Sequence, residues 1–312
     1  MDLRILNLVT DPRPFYRQQV SILESRGIEQ VTLQVPGRED QFDSRSGFDY
    51  LSFYPNVLRE SLGDYDIVHA NFGLTGPFAI AQPSRPIVLS LWGSDVHDSY
   101  GIVGKQSAKY FDAVIVMTEE MASQLPVDSY VIPHGIDLAQ FKPYPRDRSR
   151  ERVGWDDGKH VLFPYAPYRG NKNYQLAKDV VDEVDDKMET GVKLQAVYDV
   201  EYQEMPFYMN AADALLITSD NEGSPNTVKE AMACNLPVIS RDVGNIRKML
   251  SGVTPSEVVS TNDELVTALT TVLSMGDRSN GRDEADKFGL ETMGDRILDV
   301  YKEVLSGSLS RQ

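Results

Sequence analysis

Short apolar runs alternate with longer amphipathic stretches along most of this chain. Arg4 to Val9, Val31 to Val35, Ile67 to Ala70, Ile87 to Leu91, Ala113 to Met117 and Tyr130 to Ile132 are too short for helices and rich in β-branched residues, so they read as buried strands. A second set runs through His160 to Tyr165, Val192 to Val197, Ala214 to Thr218, Pro237 to Ser240 and Glu257 to Val259. Strands that alternate with helical stretches predict an α/β fold with parallel sheets. Between the two sets, Phe141 to Arg152 interrupts the periodicity with Pro143, Pro145 and a cluster of charges, as a linker would. The pattern therefore predicts an N-terminal domain over residues 1–142 and a C-terminal domain over 143–289. Residues 290–306 read as a terminal amphipathic helix.

Composition narrows the function classes. With 312 residues, 41% of them apolar, the chain can bury two cores. No apolar stretch approaches the roughly 20 residues that span a bilayer, and Met1-Asp2 opens a strand pattern rather than a signal peptide, so a cytoplasmic protein is expected. The net charge of −16 is spread along the chain. It argues against a nucleic-acid partner, which needs a basic footprint, and against docking on anionic lipid by charge alone. The acidity fits either a self-repelling, well-solvated surface suited to high salt or simply an acidic enzyme. Asp179, Asp182, Glu183, Asp185 and Asp186 share one predicted helix and read as its solvated face. Four histidines lack metal-ligand spacing, and the single Cys234 lies on the apolar side of a predicted helix, where a small core residue is expected rather than a nucleophile.

The candidate chemistry lies in Asp220-Asn-Glu222-Gly223-Ser224-Pro225-Asn226-Thr227-Val-Lys-Glu230-Ala-Met-Ala-Cys234. It follows a predicted strand, and Ser224-Pro225 reads as an N-cap followed by proline at the first helical position. A helix N-terminus presents unpaired N–H groups and a positive dipole end, which suit phosphate. Glu222 precedes the helix and Glu230 lies about two turns into it, so the two carboxylates meet different parts of one ligand. Ionised carboxylates bind vicinal diols through strong hydrogen bonds. A molecule with a central diphosphate and hydroxyls at both ends, such as a nucleotide sugar, fits this arrangement. The plainer reading is two exposed acids at a helix start, where negative charge is favourable in any case.

Glu222 to Glu230, with the intervening Gly-Ser-Pro-Asn and the following Ala-Met-Ala-Cys, resembles the E-x7-E motif of retaining GT-B glycosyltransferases of the family 4 type. Other segments agree in order. Ile132-Pro-His134-Gly-Ile-Asp137 is similar to that family's I-P-N-G-V-D signature, Leu91-Trp92-Gly-Ser-Asp95-Val to its H-G-S-D segment, and Asp66-Ile-Val-His-Ala70 to its D-V-V-H-A strand. Arg169 and Lys172 occupy the place of its basic diphosphate-binding pair. The resemblance implies two Rossmann-like, doubly wound domains facing a central cleft, with the C-terminal helix packing back on the N-domain. It implies transfer of a sugar from a nucleotide-diphospho-sugar to a hydroxyl acceptor, with retention of configuration and without a metal or other cofactor. Arg169 and Lys172 would stabilise the departing diphosphate, Glu222 would hold the transferred sugar, and Glu230 the ribose diol. Gly223, Ser224, Pro225, Asn226 and Thr227 would line the donor, while Trp92, Asp95 and His97 would lie on the acceptor side.

The chain also departs from the family pattern. Thr10-Asp11-Pro12-Arg13-Pro14-Phe15 stands where many relatives have a glycine-rich loop, and Trp92 stands where many have histidine. Asp95 fits either an acceptor hydroxyl or a turn cap, Arg169 and Lys172 also read as surface charges, and Gly244 reads as a cleft glycine or a plain turn. The acceptor is open among a glycan, a lipid-linked glycan and a small molecule. A lipid-linked acceptor would need only peripheral contact at the cytoplasmic membrane face. Phe15-Tyr16 and Phe53-Tyr54 are candidates for that contact, with core packing as the alternative. The competing functions are a non-catalytic GT-B partner that binds nucleotide sugars, and a nucleotide-sugar epimerase.

Overall fold

The computed structural model describes residues 3–37, 45–93, 96, 101–188 and 191–307. They form two compact units, Met1–Gly135 with Leu290–Gln312, and Ile136–Gly289. The first contains β1 (Arg4–Val9), β2 (Glu29–Gln34), β3 (Ile67–Asn71), β4 (Ile87–Leu91), β5 (Ala113–Val116) and β6 (Tyr130–Val131) in the order β2-β1-β3-β4-β5-β6. Every pairing is parallel. Every residue of β3, β4 and β5 is buried, as parallel strands covered on both faces require, whereas β2 is partly exposed at the sheet edge.

The helix Leu290–Ser306 completes this unit. Met293, Ile297, Val300, Tyr301 and Val304 recur at helical spacing and are all buried. The Tyr301 hydroxyl lies 2.7 Å from Nδ1 of His69, whose Nε2 lies 2.8 Å from Ser90 Oγ. Burial pushes the His69 imidazole down to about 3, so it remains neutral and serves packing.

The second unit contains β7 (Lys159–Phe163), β8 (Val192–Ala196), β9 (Ala214–Ile217), β10 (Val238–Arg241) and β11 (Glu257–Val259), ordered β11-β10-β9-β7-β8. Its pairings are also parallel. In both sheets the chain winds first one way and then the other, and the reversal falls between β1 and β3 in one unit and between β7 and β9 in the other. Ligands of doubly wound sheets bind beyond the carboxyl ends of the strands at such a reversal.

The division between units falls after Gly135 rather than after Lys142, because Ile136 and Phe141 belong to the second core. The expected linker is also corrected. Arg146–Val153 is a helix, with Pro145 at its N-cap. Its charges have partners: Arg150 Nη2 lies 2.8 Å and Arg146 Nη1 3.1 Å from the buried carboxylate of Asp213. The buried carboxylate of Asp213 thus takes up two of the four arginines there, while Arg148 and Arg152 face solvent. The acidic helix is the solvated face expected from its sequence, with Lys187 paired to Glu183 and Gln175 bonded to Asp179. Among the described residues, no helix is long and apolar enough to cross a membrane.

Candidate active site

β7 and β9 are neighbours, so the loops that leave their carboxyl ends emerge side by side. The first loop turns at Ala166, whose carbonyl accepts from the Arg169 N–H at 3.0 Å, and passes through a 3-10 turn at Gly170–Lys172. Thr218, immediately after β9, donates its hydroxyl to the carbonyls of Lys172 (2.9 Å) and Asn173 (3.1 Å), and the Asp220 N–H donates to Asn171 at 3.0 Å. These bonds join the two loops and bring Lys172 beside Glu222. Their side chains, 7% and 10% exposed, form an ion pair with Nζ 2.5 Å from Oε1. Ser219 Oγ donates to the same carboxylate oxygen at 2.7 Å. Burial pulls the Lys172 pKa down while Glu222 opposes that shift. The two basic residues therefore differ, Lys172 being buried and paired and Arg169 exposed.

The helix Asn226–Ala233 begins one residue later than the sequence suggests. Pro225, at φ −66 and ψ 121, is the N-cap and offers no side-chain hydrogen bond. Ser224 is consequently not the cap, and its hydroxyl is instead 3.4 Å from the Asn245 side-chain nitrogen. Glu230 then lies in the second turn, only four residues after Asn226. It is 6% exposed and accepts a 2.7 Å hydrogen bond from the Tyr202 hydroxyl. Burial pushes its carboxyl up to about 7 against the opposing pull of Tyr202 and Lys229. Lys229 is completely buried, which pushes its amine down to about 7, and it donates to Asn226 Oδ1 at 3.1 Å. Glu222 and Glu230 thus have separate partners and do not form a carboxylate pair.

Tyr165 lies among these groups. Its ring centroid is 4.2 Å from Lys172 Nζ and 5.8 Å from the Arg169 guanidinium carbon. The carboxylates of Glu222 and Glu230 both act on its phenol, which burial pushes up strongly. Arg169, Lys172, Glu222, Thr227 and Glu230 are accordingly gathered around one residue that the sequence reading did not single out. Ser219 and Tyr202 were also missed. Tyr165 and Ser219 could have been suspected from their places within three residues of a strand end, whereas Tyr202 has no sequence signal.

Gly244, at φ +57, packs against this site. A Cβ there would lie 2.4 Å from the Glu222 carbonyl oxygen and 2.6 Å from that of Gly223, which also accepts from the Asn245 N–H at 3.1 Å. Neither backbone oxygen is a flexible side-chain tip that can swing aside. Gly244→Ala should therefore cost at least about 1 kcal/mol in chemical denaturation. It should also lower turnover by displacing Glu222, and an alanine variant with wild-type stability would contradict this backing role.

In the first unit, Trp92 follows β4 and packs edge-on to Phe15 at 4.8 Å, with His134 stacked on Phe15 at 4.1 Å. Phe53 is fully buried, Tyr16 is nearly so, and Phe15 and Tyr54 are half-buried. Asp95 and His97 lie outside the described residues. Cys234 is buried and its thiol is pushed up to about 12 by that burial. Among the described residues, no group of three or more His, Cys, Asp or Glu side chains could hold a metal ion.

Residues 170–275 match the sequence model of the family described as Glycosyl transferases group 1. The chain is 28% identical over 218 residues to the "Putative teichuronic acid biosynthesis glycosyltransferase TuaC" of Bacillus subtilis, covering 59% of this chain and 55% of TuaC. It is 24% identical over 327 aligned positions to "D-inositol 3-phosphate glycosyltransferase 1" of Catenulispora acidiphila, covering 83% and 77% of the two chains. The first of these alignments thus spans about half the length of the relative. Among solved structures, sucrose-phosphate synthase from Thermosynechococcus elongatus superposes with a TM-score of 0.75 at 15% identity, over 97% of this chain and all of that one. Anabaena Alr3699/HepE in complex with UDP-glucose superposes with a TM-score of 0.72 at 17% identity, over 96% and 100%. The chain has the GT-B fold, with two Rossmann-like parallel-sheet units.

Proposed function

We propose that this chain is a retaining, metal-independent glycosyltransferase of the family 4 type, which moves a sugar from a nucleotide-diphospho-sugar to a hydroxyl acceptor. The observation that supports this most is the gathering of Arg169, Lys172, Glu222 and Glu230 at the β7/β9 reversal, largely within the matched segment. Glu230 would bind the ribose diol and Glu222 the transferred sugar. Arg169 and Lys172, with backbone N–H groups around Gly223, Ser224, Asn226 and Thr227, would meet the diphosphate between them. Pro225 has no N–H to give.

In this reading the bond between the anomeric carbon and the diphosphate oxygen breaks as the acceptor oxygen bonds to the same face of the sugar. The acceptor's proton passes to the departing phosphate oxygen. The negative charge that develops there is met by the two cations, whose contribution is greatest in the transition state. No protein nucleophile is required. The basic pair also performs the charge neutralisation for which other transferases use a cation, and the sequence has no Asp-x-Asp motif beside the donor segments. Trp92, Asp95 and His97 are the proposed acceptor-side residues, and the acceptor is a glycan, a lipid-linked glycan or a small molecule. A cytoplasmic site of action, with peripheral membrane contact for a lipid-linked acceptor, belongs to the same proposal.

The test is incubation with UDP-, GDP- and dTDP-sugars, beginning with UDP-glucose, the ligand in the Anabaena complex. Slow release of nucleoside diphosphate is expected from the matching donor, and EDTA should leave the rate unchanged. Product formed with a matching acceptor should keep the donor's anomeric configuration by NMR. Binding without any turnover would favour the non-catalytic partner, and a new nucleotide sugar would favour an epimerase. Activity abolished by EDTA and restored by Mn²⁺ would overturn metal independence.

A further inference from the structure

Tyr165 is 8% exposed, and its hydroxyl oxygen is buried without a fully formed hydrogen bond. The Thr227 side chain is near enough to ease the phenol's pKa but is not aligned to satisfy it. Buried hydroxyls are almost always satisfied, and each exception asks for a reason. Here the surroundings supply one. The ring supports the Lys172 ammonium at 4.2 Å and faces the Arg169 guanidinium at 5.8 Å, while the carboxylates of both Glu222 and Glu230 act on the phenol. A ligand with its sugar at Glu222 and its ribose at Glu230 must pass its diphosphate through the region between them.

We propose that Tyr165 is a further donor-binding residue whose hydroxyl donates a hydrogen bond to the diphosphate of the nucleotide sugar, an inference that rests on the function proposed above. Two features support donation rather than acceptance. Burial and the two carboxylates hold the phenol in its protonated form, and a phosphate oxygen is an ionised acceptor, which makes the stronger kind of bond. The Lys172 ammonium now bound to Glu222 would turn to the same diphosphate, which frees Glu222 for the sugar.

Tyr165→Phe removes only the hydroxyl and keeps the ring beneath Lys172. Titration calorimetry with UDP, GDP, ADP and inorganic pyrophosphate, set against the corresponding nucleosides, reads the effect. The diphosphate that binds the wild-type chain should bind the variant at least about tenfold more weakly, as expected for loss of a hydrogen bond to a charged group. Nucleoside affinity should be unchanged. In the absence of ligand, the variant should unfold at the same or a higher temperature, because the hydroxyl it lacks was unsatisfied. Unchanged diphosphate affinity, an equal loss for nucleoside and diphosphate, or a lowered unfolding temperature would each overturn the proposal. A wild-type chain that binds no nucleoside diphosphate would instead remove the functional reading beneath it.

Discussion

Arg169→Ala and Lys172→Ala should each lower kcat by about 10²-fold or more, the range found when one preorganised charge facing a developing negative charge is removed. The two variants should differ in stability. Arg169 is exposed, and its loss should stay within about 0.5 kcal/mol in a urea titration. Lys172 is paired with Glu222 at 2.5 Å with both side chains largely buried, so Lys172→Ala leaves a buried carboxylate without its cation and should cost about 3–5 kcal/mol. Arg169→Ala therefore gives the cleaner kinetic test. A folded double variant with nearly unchanged kcat would refute the assignment of these residues to the leaving group.

Glu230→Gln should weaken binding of the bare nucleoside diphosphate by about tenfold or more, because a neutral amide replaces the carboxylate that accepts from the ribose hydroxyls. Glu222→Gln should leave that affinity nearly intact and impair donor binding or turnover, since its proposed partner is the sugar. Equal losses for diphosphate and donor in the Glu222 variant would contradict this division. The raised Glu230 pKa adds a pH signature. With a folded value of about 7, the carboxyl is mostly neutral at pH 6 and mostly ionised at pH 8, so nucleoside affinity should rise about tenfold between them. The nucleoside has no phosphate to titrate, and Glu230→Gln should abolish the trend.

Stability should follow a different course. The folded pKa of Glu230 lies above its unfolded value of 4.5, so its contribution, on the order of 3 kcal/mol, is fully present below pH 4.5 and is lost as pH rises through about 7. Lys229 is depressed from 10.5 to about 7, so its contribution is present above 10.5 and is lost as pH falls through about 7. The two terms meet near neutrality, so stability should fall as pH rises toward about 7 and recover as pH rises further, with a minimum where affinity changes.

Every strand among the described residues was legible in the sequence, with ends displaced by a few residues at most. The continuous apolar runs of β3, β4, β5 and β9 reflect burial on both faces, and the more exposed β2, β6, β8 and β11 were found by their β-branched residues and spacing. Phe141 to Arg152 was misread for a related reason. Local pattern identifies charge density but cannot identify the buried Asp213, some sixty residues further along, that pairs with Arg150 and Arg146. The helix start was displaced by one residue because Ser-Pro permits both an N-cap serine and an N-cap proline, and the backbone at Pro225 takes the second. In the site, the acidic and basic residues were visible through their spacing. Their inequality was not, since only the tertiary placement buries Lys172 against Glu222 and leaves Arg169 in solvent. The Tyr165 hydroxyl was hidden for the same reason, its burial without a fully formed hydrogen bond being a property of the assembled loops.

The helix Leu290–Ser306 has a consequence for the time course of synthesis. The second unit is one continuous stretch, Ile136–Gly289, whereas the first needs Met293, Ile297, Val300, Tyr301 and Val304 from the end of the chain to close its core. On a ribosome the second unit has its full sequence while the first still lacks this helix. Until it arrives, His69 waits without the Tyr301 hydroxyl, and the helix Pro14–Glu24 lacks the helix it packs against. The unit whose strands emerge earlier is therefore completed later, and a nascent chain stalled before residue 290 would leave the core positions that meet this helix open to chaperones.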